Sequence, residues 1–493
     1  MLSAAPIRGD GTYYQQLAQT EYYTKGGEPP GHWVGSGAEQ LGLIDQAITT
    51  QSLKNLLSGF SPDGKEKLVN NAGKDSRQRG YDFTFSAPKD VSVLWAASPE
   101  WMQQEIRRAQ QAAVEKAIKY LEDEALFTRR GKGGSITERA KAVVAMYEHA
   151  TSRAGEPQLH THCLFANACV RDDGTTGTFY GRVLKDKNGK AIGGVNPLLE
   201  HGKAAGSLYQ LALATELRSR LGLQIIRSNN GFSFEIVGVS KKAVAEYSTR
   251  RKQIDEYMQE RGFESAEHAE IANFATRQEK REINRKELFE EWARELVGFG
   301  MSQHDAELLC NKAQRFVAKS SDVEQAIRKS ERELTSDQST FSKAQLVEKT
   351  ANHLVASGMA FNDVRQAVDN EIKQGRVVSL GNERLQPMLS NQATLEMEDK
   401  LSRQIRNASQ NQSFTVSEKN IAAAIKKTES ELGISFDEDY RAAISYLAAG
   451  TTKDKSVGAN RVLVGDAGSG KTTLLGTVRT ALENEGYLSL IHI

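Results

Sequence analysis

His149, His160 and His162 lie within one short stretch of a 493-residue chain. Residues 143–168 read VVAMYEHATSRAGEPQLHTHCLFANA. Two apolar, β-prone runs flank the turn-forming Arg153-Ala154-Gly155-Glu156-Pro157, which predicts a β-hairpin. His149 closes the first run; His160 and His162 open the second. Residues two apart on a strand share a face, so the last two imidazoles converge, and the turn returns His149 beside them. Three imidazoles on one hairpin form a cradle for a metal ion, and histidine is the commonest metal ligand. A site with only three protein ligands keeps positions open for water or substrate, which suits catalysis rather than structure. The plainer alternative is three surface or core histidines with ordinary partners.

Tyrosine supplies the second chemical group. Tyr13-Tyr14 and Tyr22-Tyr23 form two pairs at helix-like spacing. Packing of an amphipathic helix accounts for one member of each pair, because adjacent helical residues point in different directions. A free phenol has a pKa of about 10 and needs a base or a metal beside it to act as a nucleophile. Asp82 sits inside Tyr81-Asp82-Phe83-Thr84-Phe85, which alternates as a strand. Asp82 and Thr84 share one face; Tyr81, Phe83 and Phe85 share the other. An acid in mid-strand is disfavoured, so Asp82 either meets solvent at a hairpin edge or partners a histidine. Imidazole-only ligation favours Zn, Ni or Mn over Mg in affinity.

A third pattern stands near the C-terminal end. Arg461-Val462-Leu463-Val464 reads as a buried strand running into Gly465-Asp466-Ala467-Gly468-Ser469-Gly470-Lys471-Thr472 and then an apolar helix. This is G-x-x-x-x-G-K-T between strand and helix, the context of a P-loop. Its backbone amides and the helix N-terminus bind phosphate, and Lys471 adds a positive charge. Gly465, Gly468, Gly470, Lys471 and Thr472 are thus the candidate ATP site.

The elements that must position these groups follow from composition and pattern. The length predicts two to four domains. Lys+Arg is 64 and Asp+Glu 63, which excludes a global polycation but not a local basic groove for a phosphate backbone. The three cysteines, Cys163, Cys169 and Cys310, form no CxxC motif or disulfide framework and fit a reducing cytoplasm. No signal peptide or membrane-spanning run is legible, so the expectation is a soluble protein without membrane insertion.

Residues 38–57 read as mostly helical and 63–80 as a loop. Residues 91–97 read as an apolar strand. Ser98-Pro99-Glu100 reads as a helix start with Ser98 as N-cap, and Val114, Ile118 and Leu121 form a buried stripe on that helix. Arg129-Arg130-Gly131-Lys132-Gly133-Gly134 is either a solvated loop or a phosphate contact. A helix over about 205–221 should end at Gly222, and Asn230-Gly231 should turn a hairpin between 223–227 and 232–237. Ser240 should cap a long charged helix ending near Gly262, with a further helix over 278–296. Residues 301–450 read as mostly helical, with a short strand at 377–380 that hints at a winged helix, and 487–491 as a last strand.

Taken together these stretches resemble the MobF-class conjugative relaxases of the TraI/TrwC type, members of the HUH endonuclease superfamily. The residues that carry the resemblance are Met1-Leu2-Ser3, the paired tyrosines, Gly37-Ala38-Glu39-Gln40-Leu41-Gly42-Leu43 and Tyr81 through Lys89. They include also His149-x-Thr151-Ser152-Arg153 followed by Pro157-Gln158-Leu159-His160-Thr161-His162. The resemblance covers roughly residues 1–300 and continues as the opening of a RecD-like helicase.

The resemblance implies an α+β fold: an antiparallel-sheet palm with flanking helices and helical fingers, then a mostly helical segment and the start of a RecA-like domain. The implied division is 1–300 for the relaxase domain, 301–450 for the helical region and 451–493 for a truncated P-loop domain. It also implies roles. Tyr13 would be the first nucleophile and Tyr22 the second, with Tyr14 and Tyr23 beside them. His149, His160 and His162 would be the metal triad, and Asp82 would partner the histidines or help activate the tyrosine. The implied reaction is site- and strand-specific nicking of single-stranded DNA at a plasmid transfer origin beside a hairpin. It proceeds through a 5′-phosphotyrosine intermediate, with later rejoining, in the bacterial cytoplasm. The family is discussed with Mg or Mn. Accessory transfer-origin proteins and a conjugative coupling protein are the implied partners.

Two departures qualify this. Where RecD-like helicases place an adenine-reading glutamine, the matching position is Tyr440. Residues 488–493 also read as a truncation ahead of any acidic strand, so the expectation is weak nucleotide binding without hydrolysis or unwinding. The alternatives are a rolling-circle replication initiator with the same chemistry, or a non-catalytic DNA-binding remnant of a relaxase–helicase gene.

Overall fold

The computed structural model describes residues 1–7, 30–152, 154–185, 191–261, 285–312, 319–383, 385–410, 415–449, 461–466 and 468–487. The chain forms two compact units, Met1–Asn391 and Gln392–Ile493. Tyr13, Tyr14, Tyr22 and Tyr23 lie outside the described residues.

The first unit is built on a five-stranded antiparallel sheet. Its strands are β1 (Leu2–Pro6), β2 (His32–Val34), β3 (Gly80–Ser86), β4 (Val144–Thr151) and β5 (Pro157–Ala166), in the spatial order β1-β3-β5-β4-β2. The period-two patterns divide its residues between two faces. Phe83, Phe85, Val144, Met146, Cys163 and Phe165 join a core with the helices α1 (Lys89–Ala97), α2 (Glu100–Ala125) and α3 (Gly202–Leu221). Val143, Ala145, Tyr147, Leu164 and Ala166 face a smaller core with Trp33, Leu53 and Leu56. A fully buried aromatic such as Phe83 contributes about 1.5–3 kcal/mol, so slipping a central strand by one residue would be costly.

Several expectations need correction. Residues 91–97 are not a strand: they lie in α1, buried on every side. A helix enclosed by a core reads as a continuous apolar run, and periodicity cannot separate it from a buried strand. Ser98 does not cap α2. The N-cap is Pro99, and the Ser98 hydroxyl donates 2.6 Å back to the Leu94 carbonyl at the end of α1. The helix expected over 38–57 is two short ones, Ser36–Gln40 and Thr50–Leu57, broken where Gly42 takes a left-handed φ of 66°. Ser240 does cap a helix, but that helix ends at Glu246, and a separate α4 (Thr249–Glu260) follows. Helix α3 ends at a left-handed Gly222, Val114, Ile118 and Leu121 are buried, and a short hairpin pairs Ile225–Arg227 with Phe234–Ile236. Within 278–296 the described helix is α5 (Arg285–Gly298).

Gly37 shows how tightly the sheet edge is bound. The amides of Gly37 and Ala38 both donate to the Ala142 carbonyl, at 2.9 and 3.2 Å. A Cβ on Gly37 would stand 2.7 Å from the carbonyl oxygens of both Ala142 and Lys141. Both are backbone atoms with little room to retreat, so Gly37→Ala should cost about 1–3 kcal/mol and lower Tm by several degrees in a thermal melt. An unchanged Tm would show that the strand end relaxes freely.

The same compact unit continues through α6 (Ser320–Leu334), β6 (Phe341–Ser342), α7 (Lys343–Leu354), α8 (Phe361–Lys373), β7 (Val377–Glu383) and β8 (Gln386–Asn391). With sheet order β6-β8-β7, this helix, strand, two helices and hairpin is a winged helix. Its α8 faces inward. Arg365 reaches Asp123 and Glu124 at 3.3 Å, Lys343 reaches Glu124 at 3.0 Å, and Gln386 donates to Glu200 at 3.0 Å.

In the second unit α9 (Gln392–Gln410), α10 (Glu418–Leu432), α11 (Glu438–Ala449) and α12 (Lys471–Asn484) are helices, and the last three share a small core. The expected buried strand at 461–464 is absent. Val462 is 76% exposed and Val464 89%. A β-prone run becomes a buried strand only between neighbouring strands, and among the described residues this unit contains helices alone. Of the strand expected over 487–491, residues 488–491 lie outside the described residues.

Candidate metal centre

The register of the central hairpin assembles the centre. His149 pairs directly with His160, and His162 pairs with Tyr147 on one side and Thr84 on the other. All three imidazoles stand on the face that Tyr147 and Leu164 share, at the polar end of the smaller core. Their ring centroids are 5.1, 5.2 and 5.2 Å apart, and one donor atom from each lies within 4.8 Å of the others. His149 is buried; His160 and His162 are half-buried. The hairpin thus gathers the three histidines that the sequence singled out.

The partners of two rings fix their tautomers. His160 Nδ1 is 2.8 Å from the Gln158 carbonyl, which can only accept, so that nitrogen carries the proton. His162 Nδ1 is 2.8 and 3.1 Å from the two carboxylate oxygens of Asp82. In the neutral form each ring then leaves Nε2 as the lone pair with which imidazole ligates a metal. The donor set fits a divalent ion: three imidazoles from one rigid sheet, with a carboxylate behind one of them.

Asp82 itself is buried, three residues into β3, and its position resolves the two readings of an acid in mid-strand. It faces a histidine, not solvent. Thr84 was less visible in the sequence. Its hydroxyl lies 3.1 Å from His162 Nδ1 and 3.3 Å from Asp82 Oδ1, closing a small polar group of three. Its only sequence signal was the shared strand face with Asp82. Tyr13, Tyr14, Tyr22 and Tyr23 belong to residues 8–29, outside the described residues.

The P-loop residues belong to the other unit. Gly468 and Gly470 take left-handed φ of 81° and 74°, and Lys471 begins α12. The Lys471 ammonium donates to the carbonyls of Gly465 and Asp466, at 2.7 and 2.5 Å. Thr472 follows on the first turn. The Tyr440 hydroxyl donates to the Ser469 carbonyl, and a Cβ on Gly470 would collide with that same hydroxyl. Tyr440 thus leans on the loop from α11.

The antiparallel sheet thus carries a histidine triad backed by a strand aspartate. A profile of the TrwC relaxase family matches residues 8–299, and the chain belongs to that family. Among characterised relatives, the multifunctional conjugation protein TraI of Escherichia coli is 28% identical over 399 residues, covering 78% of this chain. Its counterpart from E. coli strain K12 is 27% identical over 396 residues. The chain spans 22% of the length of each of these relatives.

Solved structures of the conjugative relaxase TrwC match about three fifths of the chain. A metal-free complex with oriT DNA is 26% identical with a TM-score of 0.51, covering 61% of this chain and all of that one. A copper-bound oriT complex is 27% identical with a TM-score of 0.51, covering 62% of this chain and 100% of its own. A third complex holds a 27-mer DNA comprising the recognition hairpin and the cleavage site, at 26% identity and the same coverage, with a TM-score of 0.51.

Proposed function

We propose that this chain is a conjugative relaxase that nicks one strand of plasmid transfer-origin DNA and stays covalently attached to it through tyrosine. The observation that carries the reading is the triad itself: three converging imidazoles, one held in its ligating tautomer by Asp82, in a chain of the TrwC family. His149, His160 and His162 would hold a divalent ion, Mg or Mn being the physiological candidates, with Zn and Ni favoured by imidazole affinity. Such an ion supplies positive charge to a non-bridging phosphate oxygen.

Tyr13 is assigned as the nucleophile and Tyr22 as the second tyrosine, with Tyr14 and Tyr23 as neighbours in each pair. The phenolic oxygen of Tyr13 forms a bond to phosphorus, the bond from phosphorus to the 3′ oxygen breaks, and the phenolic proton is balanced by protonation of the leaving 3′-hydroxyl. The phosphodiester is exchanged rather than hydrolysed, so the later reverse step can rejoin the strand. Residues 1–300 carry this chemistry. Gly465–Thr472 is assigned as a nucleotide-phosphate loop at the opening of a helicase region, and Tyr440 beside it disfavours adenine reading by the usual glutamine. Accessory transfer-origin proteins and a coupling protein are the proposed partners in the bacterial cytoplasm. Among the described residues no helix is long and apolar enough to cross a membrane.

The test is a labelled single-stranded oligonucleotide carrying an inverted repeat and an adjacent unpaired segment from a transfer origin, with Mn. The expected product is a protein adduct whose mass equals the chain plus the 3′ fragment, joined through its 5′-phosphate. Affinity should fall with added salt as counterion release predicts. Free fragments with no protein adduct would indicate a hydrolytic nuclease instead.

Asp82→Asn separates support from ligation. The amide can no longer offer two anionic oxygens to His162 Nδ1, so metal affinity should fall about 10–100-fold, with nicking reduced and restored by excess metal. Metal titration with nicking assayed on the same samples checks this. Complete loss of binding at any metal concentration would make Asp82 a ligand; wild-type affinity would make it a bystander.

A further inference from the structure

The turn of the histidine hairpin is fastened from outside by groups far away in sequence. The Trp292 indole N–H in α5 donates to the Gly155 carbonyl at 3.0 Å. The Thr249 amide, at the start of α4, donates to one Glu156 carboxylate oxygen at 2.9 Å. The Lys89 ammonium, at the start of α1, lies 3.5 Å from the other and donates to the Pro157 carbonyl at 3.0 Å. Glu156 is 7% exposed and Trp292 2%, so these contacts are shielded from water. Trp292 stacks on Phe289 at 4.9 Å, and Phe289 meets Trp95 of α1 edge-on at 5.4 Å.

A hairpin turn closes without such help. Here the Gly155 amide already donates to Ser152 and the Ser152 amide to the Glu156 carbonyl. The reason for the extra anchors lies in the register. His149 pairs with His160, but the next pair is Thr151 with Pro157, so Ala150 alone faces both Gln158 and Leu159. This bulge separates the triad from its own turn. On the turn side only one ladder pair remains, and Pro157 has no amide hydrogen to contribute to it. A bulged strand re-aims its side chains, and a one-residue slip sends them to the opposite face. The local ladder is therefore a weak lock on the residues that must converge.

We infer that Trp292 and Glu156 are positioning residues that lock the register of the bulged hairpin and so set the metal affinity and coordination geometry of His149, His160 and His162. The inference rests on the reading of the triad as a metal site. It links the helical segment of α4 and α5 to the metal centre through the turn, without a ligand from either helix.

The experiment uses the full chain and Co²⁺ as probe. Its dissociation constant and visible ligand-field spectrum are measured for wild type, Trp292→Phe and Glu156→Gln, beside Tm without metal. Trp292→Phe removes the indole donor and keeps an aromatic ring against Phe289. It should weaken Co²⁺ about tenfold and change the ligand-field bands. Glu156→Gln, which removes the charge facing Lys89, should shift both readouts the same way and serves alone if the tryptophan variant does not fold. Wild-type Co²⁺ affinity and spectrum in the folded variants, whatever their Tm, would overturn the inference. No Co²⁺ binding by wild type would instead overturn the metal reading, and this inference with it.

Discussion

Tyr13→Phe is expected to cut formation of the covalent DNA adduct by more than about 10³-fold, the scale on which enzymes lose rate when a nucleophile is removed. The substitution deletes one oxygen and keeps the ring, so oligonucleotide affinity and Tm should stay close to wild type. The expectation rests on the position of Tyr13 in the first of two N-terminal pairs that match the family pattern. Adduct yield on a suicide oligonucleotide, measured by denaturing gel and mass spectrometry, reads it directly. Wild-type yield in Tyr13→Phe would remove Tyr13 from the role and make Tyr14 the next residue to test. Tyr22→Phe should leave this first cleavage intact and impair only a second transfer.

The second large effect belongs to the histidines. His160→Ala and His162→Ala should each lose bound metal and slow nicking by on the order of 10³-fold, since Lewis-acid stabilisation of a reacting phosphate is worth several kcal/mol. Oligonucleotide affinity should change little, because it comes from basic and aromatic contacts spread along the strand. Metal content, nicking and binding measured on one preparation separate the two effects. Equal loss of binding and nicking would mean that the histidines hold DNA or the fold, and not the metal.

The residues of this centre were legible in the sequence because each depended on strand arithmetic. The spacing of His160 and His162 and the turn at 153–157 put three imidazoles on one face, while the alternation around Asp82 left it at a solvent edge or beside a histidine; the observed register puts all four on one face. Local pattern failed where tertiary packing decided. The apolar run 91–97 is a helix because a core surrounds it, and Val462 and Val464 stay exposed where no described strand pairs with them. Trp292 and Glu156 could not be linked from sequence at all. Trp292 reaches the turn at Gly155 and Thr249 reaches it at Glu156, 137 and 93 residues apart in sequence, and no periodicity carries those distances. The winged helix was only hinted at by 377–380, yet its α8 turns Arg365 toward Asp123 and Glu124 of α2.

The most direct test of the central claim follows adduct formation by the wild-type chain as its divalent metal is removed and returned. Chelation followed by dialysis should abolish the adduct while the oligonucleotide stays bound. Mn²⁺ should restore it at one equivalent per chain, and the same addition to the His160→Ala/His162→Ala double variant should restore nothing. Undiminished adduct in the chelated, metal-free wild type, or full rescue of the double variant, would contradict a histidine-held metal as the driver of tyrosine transesterification.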